Sequence, residues 1–285
     1  MGEEAEGFQK KEVNEVLSDK VIPTCLRATH RQIKSVPIMY VCMDGTGVPV
    51  VKAETVGRHG KGEDGIAKTR EVKLGCIFTQ TTVDEKGYAV RDESSTSYVG
   101  AIERADEFGK RIYGEAMRRG LQRAGKICVI GDGASWIWNI ADEQFYGAIQ
   151  IIDLYHARVF WGNDKEKMNR WAKKRHDELD NGKVEDVIKA IGRLSPSTDY
   201  EKDICEREIN YFEKNKERMR YAEFRRQGLF VGSGVLEAGC RTVVGQRLKQ
   251  SGMHWTVKGA NSIIALRCCF LSNRWENFWK YRACA

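Results

Sequence analysis

Short runs of apolar residues, each stopped by turn residues, recur along the middle of the chain. The first run begins at Ile38 and leads directly into Asp44-Gly-Thr-Gly. Runs of this length and composition are typical of strands that are buried on both faces. They predict five strands, at 38–44, 71–80, 88–93, 126–131 and 148–152.

Apolar residues at helical spacing fill the intervals between the later strands. The spacing is present over 99–119 and 135–145, so strands and helices alternate and predict an α/β sheet. Residues 3–20 are charged and compatible with a helix. A connector bounded by Pro23 and Pro37, without sustained periodicity, follows them.

The second half of the chain is predicted to be mainly helical. Residues 158–228 are charged and are interrupted near Ser195-Pro196-Ser197, which is typical of an all-helical insertion. A last long helix is predicted to begin after Ser233, a candidate N-cap, and to end near Gln250. We divide the chain into a remnant N-terminal helix and connector (1–37), the first part of the core (38–157), the insertion (158–228), and the last part of the core with basic C-terminal helices (229–285).

Composition and charge are those of a globular protein with one strongly basic end. Of the 285 residues, 41% are hydrophobic and 31% charged, which excludes the disordered and fibrous classes. The net charge is +7, and residues 229–285 carry 8 Lys and Arg against 2 Asp and Glu. Such a concentrated positive field suits a nucleic-acid backbone, although a solvated basic tail gives the same count.

The sequence does not indicate a membrane, an oxidising compartment or a zinc site. No uncharged apolar run approaches the roughly 18 residues of a spanning helix, and the acidic start is unlike a secretory signal, so we expect a cytoplasmic protein. None of the nine cysteines stands in a Cys-x-x-Cys pair, and most lie in apolar runs. We expect reduced core cysteines, and the five histidines form no cluster of zinc ligands.

Three carboxylates are candidate metal ligands. Asp44 ends the first predicted strand and Asp132 the fourth, each before a glycine. Taken singly, Asp-Gly after a strand is more often turn chemistry. In a sheet of order 3-2-1-4-5, however, these two strands are neighbours, and both side chains are expected at one edge. Glu237 lies near the start of the last helix, where the helix dipole alone favours a Glu. The glycines around it indicate close approach to another backbone or to DNA: Gly232, Gly234, Gly239 and Gly245.

Five motifs give the chain a resemblance to a known family. They are Met43-Asp-Gly-Thr-Gly-Val-Pro, Arg70-Glu-Val-Lys-Leu-Gly, Gly131-Asp-Gly-Ala, Asp153-Leu-Tyr-His-Ala and Gly232-Ser-Gly-Val-Leu-Glu-Ala-Gly-Cys. With these motifs in this order, residues 36–282 resemble bacterial insertion-sequence transposases of the Asp-Asp-Glu class, of the mutator-like type. The resemblance implies a ribonuclease H-like mixed sheet of order 3-2-1-4-5, with an all-helical insertion before the last catalytic helix. It also implies that Asp44, Asp132 and Glu237 are the catalytic, metal-binding triad.

The implied activity is metal-dependent cleavage and strand transfer of DNA at the ends of an insertion sequence. Carboxylate oxygens suit two Mg²⁺ ions, with Mn²⁺ as a substitute, and such ions activate the attacking oxygen and stabilise the leaving one. Asp153 and His156 resemble an Asp-x-x-His element that supports catalysis, and a buried structural pair is the alternative interpretation. We expect assembly on DNA as a homodimer or larger oligomer.

The basic end supplies the predicted DNA contacts. Arg241, Arg247, Lys249 and Lys258 are expected to contact phosphates. Trp255 is expected to stack on an unpaired base, although an indole after a helix more often packs in the core. The segment around His59 and Lys61 does not match a nucleotide phosphate loop and is interpreted as a basic hairpin loop near DNA.

Three functions stay open at this stage. The first is the catalytic core of a DNA transposase. Only 37 residues precede the first predicted strand, so the second is an inactive, N-terminally truncated remnant that acts only as a DNA-binding protein. The third is another ribonuclease H-like nuclease, such as a junction resolvase.

Overall fold

The centre of the molecule is a five-stranded mixed sheet. The computed structural model describes residues 1–18, 36–60, 65–158 and 167–283. Its strands are β1 (Val36–Pro49), β2 (Thr69–Gln80), β3 (Thr82–Val83), β4 (Ala89–Val90), β5 (Ser97–Ala101), β6 (Ala124–Gly131) and β7 (Ile149–Ile152). The large sheet has the order β5-β2-β1-β6-β7, and β3 and β4 form a separate hairpin. The predicted α/β class is confirmed.

The first strand is longer than predicted. We placed its end at Asp44, but β1 continues to Pro49 because β2 pairs with it in antiparallel fashion throughout, from Ile38 opposite Gln80 to Pro49 opposite Thr69. Asp-Gly-Thr-Gly is therefore extended strand and not a turn. On its other side β1 pairs in parallel with β6, and β6 pairs in parallel with β7.

The third strand of the large sheet is not the predicted one. Of residues 88–93, only β4 is a strand, and it pairs with β3 outside the large sheet. The third position belongs to β5, which pairs with β2 through residues 97–101. We had assigned residues 99–101 to a helix, which in fact begins at Ala105. The error arose because the short apolar stretch of β5 is continuous with the apolar face of the helix that follows.

Helices cover both faces of the sheet. They are α1 (Gly2–Leu17), α2 (Ala105–Arg118), α3 (Ser135–Gln144), α4 (Leu154–Arg158), α5 (Lys167–Asp180), α6 (Val184–Gly192), α7 (Asp199–Asn215), α8 (Tyr221–Arg226), α9 (Gly234–Gly239), α10 (Gln246–Leu248), α11 (Val257–Leu271) and α12 (Trp275–Ala283). A Cβ added to Gly75 would meet Ile112 of α2, and one added to Gly100 would meet Ile264 of α11. These two helices therefore pack closely on opposite faces of the sheet.

Between β7 and α9, the described secondary-structure elements are all helices, joined by short loops. The break near Ser195 falls between α6 and α7, and Thr198 begins α7 with a capping box in which its side chain accepts from the Glu201 N–H. Two predicted features lie outside the described residues, namely the connector around Pro23 and Lys61 of the basic loop.

The two ends of the described chain pack together. Phe8 of α1 and Phe278 of α12 belong to a second apolar cluster, with their ring centroids 6.1 Å apart. In the described part of the chain, no helix is both long and apolar enough to cross a membrane. The seven cysteines described there are free thiols, as expected.

Candidate active site

Asp44 lies within β1, and Asp132 directly follows the neighbouring parallel strand β6. Cys42 of β1 pairs with Ile130 of β6, and each aspartate lies two residues further along its chain. The strand pairing therefore brings the turn after β6 beside Asp44, and the charge of Asp132 acts on the Asp44 carboxyl.

The electrostatics of Asp44 reflect this proximity. The pKa of Asp44 is raised, first by burial, and the negative charge of Asp132 adds to the effect. Hydrogen bonds from Cys240 and Gly45 and the nearby His156 oppose the rise. The Gly45 N–H donates to Asp44 Oδ1 at 2.7 Å, and the Cys240 thiol donates to Oδ2 at 3.3 Å. Asp44 is thus a half-buried carboxylate held beside a second one.

Asp132 lies in a turn that contacts α7. Its Oδ1 accepts from the Ala134 N–H at 2.9 Å, and Gly133 adopts a positive φ of 104°. The Tyr211 hydroxyl, on α7, donates to the Asp132 carbonyl oxygen at 3.0 Å. A Cβ on Gly133 would lie 2.7 Å from the Tyr211 ring, so the turn and α7 are in close contact. Asp132 therefore performs the turn chemistry that we weighed, in a position that also faces Asp44.

Asp153 is a fully buried carboxylate at the end of β7. Its Oδ1 accepts from the Tyr155 and His156 N–H groups at 2.7 and 3.4 Å, which caps α4. Its Oδ2 accepts from the Ser233 N–H at 2.8 Å and from the Ser233 hydroxyl. These contacts match the buried structural alternative for Asp153. Exposed His156 lies close enough to influence the pKa of Asp44.

The predicted last long helix corresponds to a run of short helices after Ser233, which we call the last helical run although α11 and α12 follow it. This run brings Glu237 beside the sheet. It consists of α9, a π-helical segment (Cys240–Gly245) and α10. Ser233 is the N-cap residue, as predicted, but its side chain bonds to Asp153 and not to the helix. Glu237 is exposed, and Cys240, one turn later on the same side of the helix, contacts Asp44.

Two of the glycines around Glu237 lie against tyrosine rings. A Cβ on Gly239 would be 2.5 Å from Tyr98 Cε1, and one on Gly232 would be 2.7 Å from Tyr155 Cε2. We expected these glycines to approach another backbone or DNA, but in the structure Gly232 and Gly239 approach side chains of the protein itself. Gly234 has open space around its Cβ position.

The donors around Asp44 bear on whether a metal ion could bind here. Among the residues that the structure describes, no three His, Cys, Asp or Glu side chains are grouped so as to hold a metal ion. Asp44 and Asp132 are a pair of hard oxygen donors whose repulsion a divalent cation would relieve. Glu237 lies outside this pair, one helical turn from the contact with Asp44. The two aspartates are thus donors of the type that a divalent cation prefers, whereas exposed Glu237 is not grouped with them.

The predicted DNA contacts divide into two groups. Arg241 and Arg247 are exposed on the last helical run. Lys249 follows that run and donates to Thr46 Oγ1 of β1. Lys258 is at the start of α11, where it forms an ion pair with Glu3 of α1 at 2.9 Å.

Trp255 and His59 contact the protein as well. The Trp255 ring is half-buried and its N–H donates to the Leu248 carbonyl oxygen at 3.2 Å, which favours the packing alternative. His59 forms an isolated antiparallel bridge with Ile66, as expected for the ends of a hairpin loop.

Sequence analysis missed two residues at this site. Tyr211 lies in a charged helix, where one aromatic residue gives no sign of contact with a distant turn. Cys240 is the last residue of the fifth motif, and a cysteine there indicates packing in the core more readily than a hydrogen bond to Asp44. Comparison with known proteins adds no assignment, because no protein-family model matches the chain and a search of curated proteins finds no significant match.

Proposed function

We propose that the chain is the catalytic core of a DNA transposase, which cleaves DNA at insertion-sequence ends and transfers the strand. The observation that carries the proposal is the pair of carboxylates, Asp44 on β1 and Asp132 directly after the neighbouring parallel strand β6. The raised pKa of Asp44, caused by burial and by Asp132, is typical of catalytic carboxylates.

The arrangement of the chain around the pair supports a ribonuclease H-like fold. When the strands of the large sheet are counted in chain order without the small hairpin, their spatial order is 3-2-1-4-5. A helical segment precedes the last helical run, and that run carries Glu237. Both features agree with the motif order on which the resemblance rests.

Asp44, Asp132 and Glu237 would hold Mg²⁺, with Mn²⁺ as a substitute. Bound there, the metal would activate the attacking water or 3′-hydroxyl and stabilise the leaving oxygen. The protein's own part is to orient the carboxylates, through the Gly45 and Cys240 donors on Asp44. Exposed Arg241 and Arg247 on the last helical run would contact DNA phosphates.

The experiment is Mg²⁺-dependent nicking of a duplex by the parent and by Asp132→Asn. We expect the variant to lose about a thousandfold in rate, because a ligand to the metal and its charge are removed together, while its affinity for DNA stays the same or rises. Asp203→Asn, at an exposed position on α7, is the matched control and should cut like the parent. An Asp132→Asn variant that cuts as fast as the parent would reduce Asp132 to a turn residue.

A DNA-binding protein without catalysis is the second candidate. It is favoured by the exposed position of Glu237, outside the pair of aspartates. The same assay separates the two functions. A parent protein that binds DNA but does not nick it with Mg²⁺ or Mn²⁺ supports the second candidate.

A further inference from the structure

The contact between Cys240 and Asp44 joins the last helical run to the first strand. The Cys240 thiol donates to Asp44 Oδ2, with sulfur and oxygen 3.3 Å apart. The other oxygen, Oδ1, accepts from the Gly45 N–H at 2.7 Å. Both carboxylate oxygens are thus held by the chain, one by a donor on the same strand and one by the helical run that carries Glu237.

We propose that Cys240 is a positioning residue of this site. Its thiol fixes the orientation of the Asp44 carboxylate and sets how closely the helical run with Glu237 approaches it. The role in catalysis rests on the proposed function, whereas the hydrogen bond can be tested without it. Cys240 is one helical turn after Glu237, so a shift of Cys240 would move Glu237 relative to Asp44.

The chemistry of the two groups identifies the donor in this contact. An ionised carboxylate only accepts hydrogen bonds, so the Cys240 thiol donates to Asp44 Oδ2. The contact is therefore a charge-assisted hydrogen bond.

Packing alone does not account for the position of Cys240. The helical run is anchored by Leu236, Val243, Val244 and Leu248, whose side chains are almost fully buried. Cys240 is only partly buried, and its sulfur faces an ionisable oxygen. A helix held by those four apolar residues does not require a donor at residue 240, whereas an oriented Asp44 does.

The first test detects the hydrogen bond itself by infrared spectroscopy of the S–H stretch. The difference between the spectra of the parent and of Cys240→Ala isolates the band of this thiol. We expect Asp44→Asn to move the band to higher frequency, because an amide is a weaker acceptor than a carboxylate. Glu237→Gln is the control and should leave the band in place. A band that does not move in Asp44→Asn overturns the proposal.

The second test measures the effect on nicking. Cys240→Ala should lower kcat about tenfold, the loss expected for one hydrogen bond to a charged group, with KM for DNA unchanged. Cys240→Ser keeps a donor and should recover most of kcat. Cys205→Ala, at another partly buried helical cysteine, should match the parent. Parental kcat in Cys240→Ala, or no recovery in Cys240→Ser, overturns the positioning role.

The two tests also separate this inference from the proposed function. If the parent does not cut DNA under any metal condition, the proposed function fails, and with it the catalytic role of Cys240. A shifted band in Asp44→Asn would then still establish the contact between Cys240 and Asp44. If the parent cuts DNA and the band does not shift, only the inference about Cys240 fails.

Discussion

Asp44 is in an environment that disfavours its charge. It is half-buried, and Asp132, on the neighbouring chain segment, repels it. Two hydrogen bonds compensate only in part, because the pKa remains raised. A carboxylate kept in such a position without a cation reduces stability, which is common where function requires a particular charge.

Asp44→Asn should therefore stabilise the metal-free protein at neutral pH. The ionised form of Asp44 is disfavoured in the folded state, so its penalty is fully present above the raised pKa. The penalty shrinks as the pH falls through the raised pKa and is lost below the ordinary value of 3.8, where the carboxyl is protonated in both the folded and the unfolded chain. Thermal unfolding from pH 7 down to pH 4 should show a higher Tm for the variant at pH 7 and a narrowing difference towards pH 4. A lower Tm for the variant at pH 7 contradicts this account.

The last helical run is the element that connects the parts of the site. Its start is held by Asp153 through Ser233, its middle contacts Asp44 through Cys240, and Lys249 beyond its end contacts Thr46. The π-helical segment gives this run an irregular turn beside the site, a location where such segments are frequent. Arg267 of α11 stabilises the segment by donating from Nε to the Thr242 carbonyl oxygen at 2.8 Å.

A pair of glycine variants tests the docking of this run. Gly239→Ala should destabilise the protein by about 1 to 3 kcal/mol, because the new methyl group would overlap the Tyr98 ring. Gly234→Ala, in the same helix but with open space around it, should change stability by less than about 1 kcal/mol. Urea unfolding measures both. Equal stabilities for the two variants would mean that α9 is not in close contact with the Tyr98 ring.

Local pattern was sufficient for most elements of the sheet and insufficient for two. β2, β6 and β7 lie close to the predicted ranges because each is a short apolar run with clear ends. The extension of β1 beyond Asp44 depends on pairing with β2, and the position of β5 depends on its place at the sheet edge. The pairing of the two aspartates followed from strand order, whereas the contacts of Tyr211 and Cys240 depend on packing between distant segments.

At the scale of the whole molecule, the site lies where three regions of the chain meet. The sheet and the turn after β6 carry the two aspartates. Tyr211 of α7 donates a hydrogen bond to the Asp132 backbone, and Cys240 of the last helical run donates one to Asp44. The positive charge of residues 229–285 is not uniformly available, since Lys258 is paired with Glu3 on the side of α1. Exposed Arg241 and Arg247 are on the same helical run as Glu237.

The salt dependence of DNA binding should follow this distribution of charge. The plot of log affinity against log salt has a negative slope. Arg241→Ala and Arg247→Ala should each reduce the magnitude of this slope by about 0.9, the value for one lost phosphate contact. Lys258→Ala is the comparison and should lower the magnitude of the slope less, because Lys258 lies on the side of α1 and forms an exposed ion pair with Glu3. Fluorescence anisotropy over a salt series measures all three. A slope that changes in Lys258→Ala but not in the arginine variants would place the DNA surface on the side of α1.

The proposed function requires that Asp44, Asp132 and Glu237 together hold the metal ions that drive DNA cleavage. Equilibrium dialysis of Mn²⁺ against the protein bound to a duplex counts these ions directly. We predict two bound ions per parent chain. Asp44→Asn, Asp132→Asn and Glu237→Gln should bind fewer ions or bind them with much lower affinity, because each variant removes a charged oxygen ligand. The same number of ions, bound with the same affinity by all four proteins, would contradict the account.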